Sequence, residues 1–388
     1  MRTLGSRVLL GSVVAASLVH ASPSNRLTPR APRAISVASV TELGAISQNS
    51  VVKARDNGQS ALVNGVSYWF FDDTSMTNGF LDNTAAATSD LDASDNIVLT
   101  SADWTSTSHT GTPGQTIPPT QAETDFQNAH ATSTGCTGSS DPYCGATYAI
   151  WPGAVLADPD NNRVLVGYQK LCRGSQGSSC ASTSLSGEVL GWGWYETVLS
   201  LGLGARLEPS TGGLTDLTGV KDPALFGGAD SIQFANGAVS YNDYAYMYGG
   251  GNVLTGAYLA RAPMSDFTNL AAWTYWDGSS YQSDVSKVAG TITPGAAGNT
   301  VFYSAALGGF YNVFMPFGSS TAYMQSASAP EGPWSSDVEI FTSVESNGET
   351  NYACFAHPEY ASSDGKTQYI SYYQTGSGAQ RLVKLVLN

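Results

Sequence analysis

Residues Ser60–Phe71 read SALV-NG-VSYWFF: an apolar strand, an Asn-Gly turn and an aromatic-rich strand. Asn-Gly tolerates the positive φ that a two-residue hairpin turn demands. The unit returns as GAVLA-DPDNN-RVLVGY (Gly153–Tyr168), GAVSY-ND-YAYMYG (Gly237–Gly249), VFYSAAL-GG-FYNVFM (Val301–Met315) and HPEYASS-DG-KTQYISYY (His357–Tyr373). A third run follows several copies, at Gly202–Pro209, Gly256–Pro263, Ala322–Pro330 and Arg381–Leu387. Trp273, Trp276 and Trp334 stand where a fourth, outer strand would lie. A hairpin with a third and a fourth strand, repeated, is the unit of a β-propeller, because one such sheet cannot cover both its faces alone. Five copies predict an all-β, five-bladed β-propeller. A β-sandwich also has many short strands but gives no reason for an internal repeat. The apolar spacing of Ile35–Ile46 marks it as the outer strand of the last blade, closing the ring. Thr105–Ser140 and Gly174–Ser186 lack periodicity and read as long loops, which in propellers often wall a binding site.

Composition agrees with many short strands and tight turns. The 388 residues include 42 Gly and 20 Tyr, and only 12% are charged. The net charge is −14 and no basic run follows the N-terminal region. Phosphate contacts need Lys and Arg, so no nucleic-acid partner is expected, and a neutral ligand fits better. Arg2 and Arg7, the apolar run Val8–Val19 and the small residues around Ala21 read as a signal peptide over residues 1–21. Twelve apolar residues are too few to span a bilayer, so no membrane association is expected. Residues 22–34, polar and rich in Pro and Arg, read as a disordered leader; residues 35–388 read as a single secreted, extracellular propeller domain and a monomer.

Cysteine usage fits export. Cys136 and Cys144 form one local pair and Cys172 and Cys180 another, the default being two loop-stapling disulfides, with crossed pairing open. Cys354 is left over and reads as a buried thiol. There is no CxxC, no calcium-loop motif and no N-x-[ST] sequon, so neither a metal, a cofactor nor N-glycosylation is expected.

The chemistry concentrates in Arg55–Thr74, RDNGQSALVNGVSYWFFDDT. With Asn64-Gly65 as the turn, Val63 faces Val66, and the same register carried back sets Asp56 opposite Asp73. Like charges directly across a sheet destabilise it, so chemistry is a reason to keep them. Two adjacent carboxyls cannot both ionise easily; one becomes an acid and the other stays a base or nucleophile, as glycosidic bond cleavage requires. Asp72 points to the other face in this register, and a bulge near Asp72-Asp73 would exchange the two. Counting back from each turn to the converging strand starts adds Trp151, Asn236, Thr300, His357 and Glu359. An indole face, amides and an imidazole suit a sugar ring and its hydroxyls.

The motifs Arg55-Asp56-Asn57-Gly58, Trp69-Phe70-Phe71-Asp72-Asp73-Thr74, Trp151-Pro152 and His357-Pro358-Glu359 resemble those of the family called domain of unknown function 4185, over most of the chain after the leader. Part of that family is grouped as glycoside hydrolase family 183, five-bladed propellers that cleave D-arabinan from within. The resemblance implies that Asp56 and Asp73 are the catalytic carboxylates. Asn57 and Asp72 stand where that family usually has glycine, so substrate preference need not carry over.

The sequence thus predicts a glycoside hydrolase acting on furanosidic linkages in an arabinan-like polysaccharide or oligosaccharide. Asp56 and Asp73 are its catalytic pair, and Arg55, Asp72, Trp151, Asn236, His357 and Glu359 its sugar contacts. The alternative is a non-catalytic propeller that binds glycan or a surface protein.

Overall fold

A computed structural model describes residues 31–100, 103–104, 111–119, 121–174, 188–199, 217–226, 234, 236–249, 257–267, 269–289 and 298–388. The expected signal peptide lies outside the described residues, as do Gly202–Pro209 and Cys180.

Among the described residues five sheets have four or five strands, and a sixth has two. The innermost strands of the five are Val52–Val63, Thr147–Asp158, Gly237–Tyr241, Asn299–Ser304 and Tyr352–Ala356. Each packs against the next, and the last packs against the first, so they form a closed ring. Successive strands within a sheet run outward and antiparallel. This is an all-β propeller. The strand Val37–Ala45 pairs with Ala379–Leu387 as the outer strand of the fifth sheet, so the two ends of the chain close the ring as the apolar spacing of Ile35–Ile46 predicts.

The core lies between sheets, not within them. Alternate residues of a strand face opposite ways, so one strand serves two interfaces. Tyr68 and Phe70 pack with Ile150, Val164 and Tyr168 of the second sheet. Trp69 and Phe71, the residues between, pack with Tyr360, Tyr369 and Leu382 of the fifth. Similar clusters join the second sheet to the third around Met247 and Trp273, the third to the fourth around Tyr248 and Phe310, and the fourth to the fifth around Tyr311 and Tyr372. Each such buried aromatic contributes about 1.5–3 kcal/mol of hydrophobic stabilisation.

Four of the five hairpins fall where the repeats place them. The fifth does not. Its inner strand is Tyr352–Ala356, and the partner strand starts at Thr367; His357–Ser363 instead leaves the sheet through a short 3-10 turn at Pro358–Tyr360. Proline at the first position of that turn fixes a helical φ and ends the strand. Trp334 belongs to no strand; the outer strand of the fourth sheet is Val338–Thr342. The stretch 105–140 is not all loop: it carries a helix, Gln121–Ala129, followed by a 3-10 turn and the Cys136–Cys144 disulfide. Cys354 is a buried free thiol, and burial raises its pKa.

Candidate active site

The first hairpin keeps its expected register from Val63↔Val66 to Gln59↔Phe70. Asn57 then pairs with Phe71 and Arg55 with Thr74, with shifts on either side of Asn57. Asp56 therefore faces both Asp72 and Asp73, instead of Asp73 alone. The cause is local. Asn57 (φ 63) and Gly58 (φ 98) take left-handed conformations that bend the strand. A Cβ at Gly58 would stand 3.2 Å from Phe71 Cε1, so the bend also needs the missing side chain. Gln380 of the fifth sheet fastens the bend by donating to the carbonyls of Arg55 and Asn57, each at 3.0 Å.

Each of the three carboxylates has its own donor. Tyr352 OH donates to Asp56 Oδ2. Asn57 Nδ2 donates to Asp72 Oδ1 at 3.0 Å and also to the carbonyl of Pro152 on the second sheet. Trp151 Nε1 donates to Asp73 Oδ1 at 3.0 Å. The cluster thus draws on the first, second and fifth sheets at the strand ends away from the Asn64-Gly65 turn. Burial and then the charge of Asp56 push the Asp72 carboxyl well above the usual carboxylate range; Asn57 opposes this, while Asp73 and Asp82 add to it. Tyr352 is raised by burial and by Asp56. Tyr373, whose ring lies 5.1 Å from that of Tyr352, is pushed up to about 12 by burial, Asp56, Glu349 and Asp73. Such a set can hold one proton beside an anion, the requirement for acid and base chemistry on one bond.

Asp82 underpins the layer below, accepting from Gln115 Nε2 and from the Ile150 N–H, both at 2.7 Å. That second bond fixes the strand carrying Trp151 against the first sheet. Among the described residues no group of three His, Cys, Asp or Glu is placed to hold a metal ion, and no helix is long and apolar enough to cross a membrane.

Three of the expected sugar contacts lie elsewhere. Arg55 is fully buried with its guanidinium over the Phe71 ring at 3.8 Å, donating to Asp103 Oδ1 at 2.6 Å and to Gln48 Oε1. It holds the sheet from behind, because residue 55 faces the opposite side of the strand from residue 56. His357 is fully buried, stacked on Trp69 at 4.1 Å, with Nδ1 2.6 Å from Ser60 Oγ and Nε2 2.8 Å from Ser371 Oγ. Burial lowers its pKa to about 3. Glu359 accepts from Ser60 Oγ at 2.5 Å and Ser67 Oγ at 2.7 Å, and burial raises its pKa. Ser60 is four residues from Asp56, about 13 Å along a strand at ~3.3 Å per residue, so both groups pin the turn end of the hairpin. Asn236 contributes its backbone carbonyl, which accepts from Gln59 Nε2 at 3.2 Å and Asn299 N at 3.1 Å. Thr300 Oγ1 accepts from the Ala356 N–H at 3.1 Å, joining the fourth inner strand to the fifth.

Tyr352 and Tyr373 escaped the sequence reading. Taking His357–Ser363 as the fifth inner strand hides them. Counting the converging position from an inner strand at Tyr352 would have found the first, and its cross-strand partner is the second.

A propeller with a cluster of carboxylates where its inner strands converge is the class that fold and site define. Residues 215–375 match the family model described as Domain of unknown function (DUF4185), which bears out the resemblance over that span. No curated protein matches the chain. Among solved structures, a candidate hydrolase from Bacteroides ovatus ATCC 8483 has a TM-score of 0.55 at 12% identity, over 88% of this chain and 86% of that one. At that identity the likeness defines the fold alone. A family 117 glycoside hydrolase produced by the marine bacterium Zobellia galactanivorans has a TM-score of 0.46 at 12% identity, over 90% of each chain. The endo-1,5-alpha-L-arabinanase from Thermotoga petrophila RKU-1 has 0.43 at 12%, over 89% of this chain and 71% of its own.

Proposed function

We propose that this protein is a secreted glycoside hydrolase that cleaves furanosidic linkages in an arabinan-like polysaccharide. The observation that carries the reading is the strand bend that sets Asp56 opposite Asp72 and Asp73, with a separate donor on each carboxylate. Glycosidic cleavage needs a proton for the leaving oxygen and a carboxylate for the anomeric carbon or its attacking water. Asp56 and Asp73 are the reacting pair under this reading, and Asp72 sets how many protons the group holds. The Trp151 indole and the Tyr352 and Tyr373 rings supply apolar faces for a furanose, and the acidic surroundings favour a neutral polymer over an anionic one. The resemblance of these motifs to those of arabinan-cleaving propellers supports a furanose polymer as substrate, and the departures at Asn57 and Asp72 leave the particular polymer to the panel below.

The accompanying organisation is a signal peptide over residues 1–21, a leader over 22–34 and one monomeric domain over 35–388, with each of the five larger sheets as one blade. The deciding experiment is release of reducing sugar from a panel of arabinans and galactofuranose polymers by the native protein, Asp56→Asn and Asp73→Asn. Activity abolished in both variants, with circular dichroism unchanged, supports the hydrolase. No cleavage by the native protein, or cleavage indifferent to both changes, leaves a glycan-binding propeller.

A further inference from the structure

The strand at Asp56 is gripped from the fifth sheet at three atoms, one of them on Asp56 itself. Gln380 binds the backbone carbonyls on either side of it, and Tyr352 binds its carboxylate. Tyr352 is itself held in place by the backbone. The pairing of its strand breaks between Tyr352 and Phe355, and Ala353, one residue on, has φ 52. A left-handed alanine is strained and persists only where the surrounding structure enforces it. The inner strand of the fifth sheet is thus bent at Ala353, as that of the first is bent at Asn57-Gly58, and the two bends meet at the Tyr352–Asp56 hydrogen bond.

We infer that Tyr352 is a positioning residue whose phenol fixes Asp56 as the ionised carboxylate of the cluster. A phenol that donates to one carboxylate oxygen stabilises the anion and opposes its protonation. Asp72, which faces Asp56 and whose donor is the weaker Asn57 amide at 3.0 Å, is left to hold the shared proton. The charged and titratable groups facing Asp56 are Asp72 and Asp73 from its own sheet, and Tyr352 and Tyr373 from the fifth. The Arg55 guanidinium points away, to Asp103. The inference rests on the hydrolase reading only for its consequence. In cleavage, the C–O bond would break with its electron pair on the leaving oxygen, which takes a proton from the cluster. The new bond to the anomeric carbon would come from Asp56, or from a water that passes its proton to Asp56.

The test is Tyr352→Phe, which keeps the ring against Tyr373 and removes only the hydroxyl. Protein labelled with 13C at the aspartate carboxyls is titrated by NMR, and the Asp56 resonance is assigned with Asp56→Asn. In Tyr352→Phe the Asp56 titration moves up by about one pH unit, the scale of one charge-assisted hydrogen bond. On any polymer the native protein cleaves, the acid limb of kcat/KM moves the same way, and kcat falls about tenfold while KM holds. An Asp56 titration unmoved in Tyr352→Phe, in a protein with native circular dichroism, overturns the inference. The NMR arm does not depend on activity. A native protein that cleaves nothing sinks the hydrolase, and the Asp56 titration still decides whether Tyr352 holds that carboxylate ionised.

Discussion

Trp151, on the inner strand of the second sheet, donates its indole N–H to Asp73 Oδ1 on the first sheet at 3.0 Å. The bond crosses the gap between two sheets, so it ties the orientation of a carboxylate to the packing of the ring. Trp151→Phe keeps most of the aromatic surface and deletes the donor. A hydrogen bond to a charged group contributes about 1.5–3 kcal/mol, so kcat/KM on the cleaved polymer should fall about 10–100-fold. The thermal unfolding midpoint should fall by a few degrees, the shift that a loss of about 1.5–3 kcal/mol gives in a chain of this size; an unaltered kcat/KM would show that Asp73 needs no such anchor.

Asp72 has its carboxyl raised by burial and by Asp56. Between the ordinary carboxylate value and the raised one, the folded protein binds more protons than the unfolded chain. Its contribution to stability is therefore present at low pH and is lost as pH rises through that window, at up to about 1.4 kcal/mol per pH unit. Asp72→Asn removes that loss. Denaturant midpoints measured from pH 4 to pH 8 should decline less with pH in the variant than in the native protein, and parallel curves would contradict the assignment.

His357 gives the opposite slope. Its folded pKa is lowered to about 3 by burial, against an ordinary value of 6.5. The unfolded chain takes up a proton in that window and the folded protein does not, so stability is full above pH 6.5 and falls as pH drops toward 3. Imidazole NMR should show His357 neutral at pH 5; a titration near 6.5 would refute burial as the controlling effect.

Arg55 and Asp103 form an ion pair with both side chains fully buried. Removing one partner leaves the other charged and unpaired, at a cost of about 3–5 kcal/mol. Arg55→Ala should lose that much stability in chemical denaturation, and Asp103→Asn should show a comparable loss. A change smaller than 1 kcal/mol would indicate that solvent reaches the pair.

The repeat of Asn-Gly, Asn-Asp and Gly-Gly turns with aromatic strands was enough to read the propeller and its ring closure from the chain. Turn chemistry and two-residue alternation are local properties, and a sheet with two apolar faces must stack. The same reasoning located Asp56, Asp72, Asp73 and Trp151, because a short turn carries its register along both strands. The sequence admitted a bulge near Asp72-Asp73 but could not place the break in register at Asn57-Gly58. The bend at Asn57-Gly58 is held by Gln380, and the bend at Ala353 turns Tyr352 toward Asp56; both depend on residues about 300 positions apart in sequence. Arg55 and His357 carried the polarity of ligand-binding residues but found partners inside the protein, in Asp103, Ser60 and Ser371. Whether a polar side chain faces a ligand or a neighbouring sheet is set by which face of which strand the ring brings against it, and that only the tertiary structure decides.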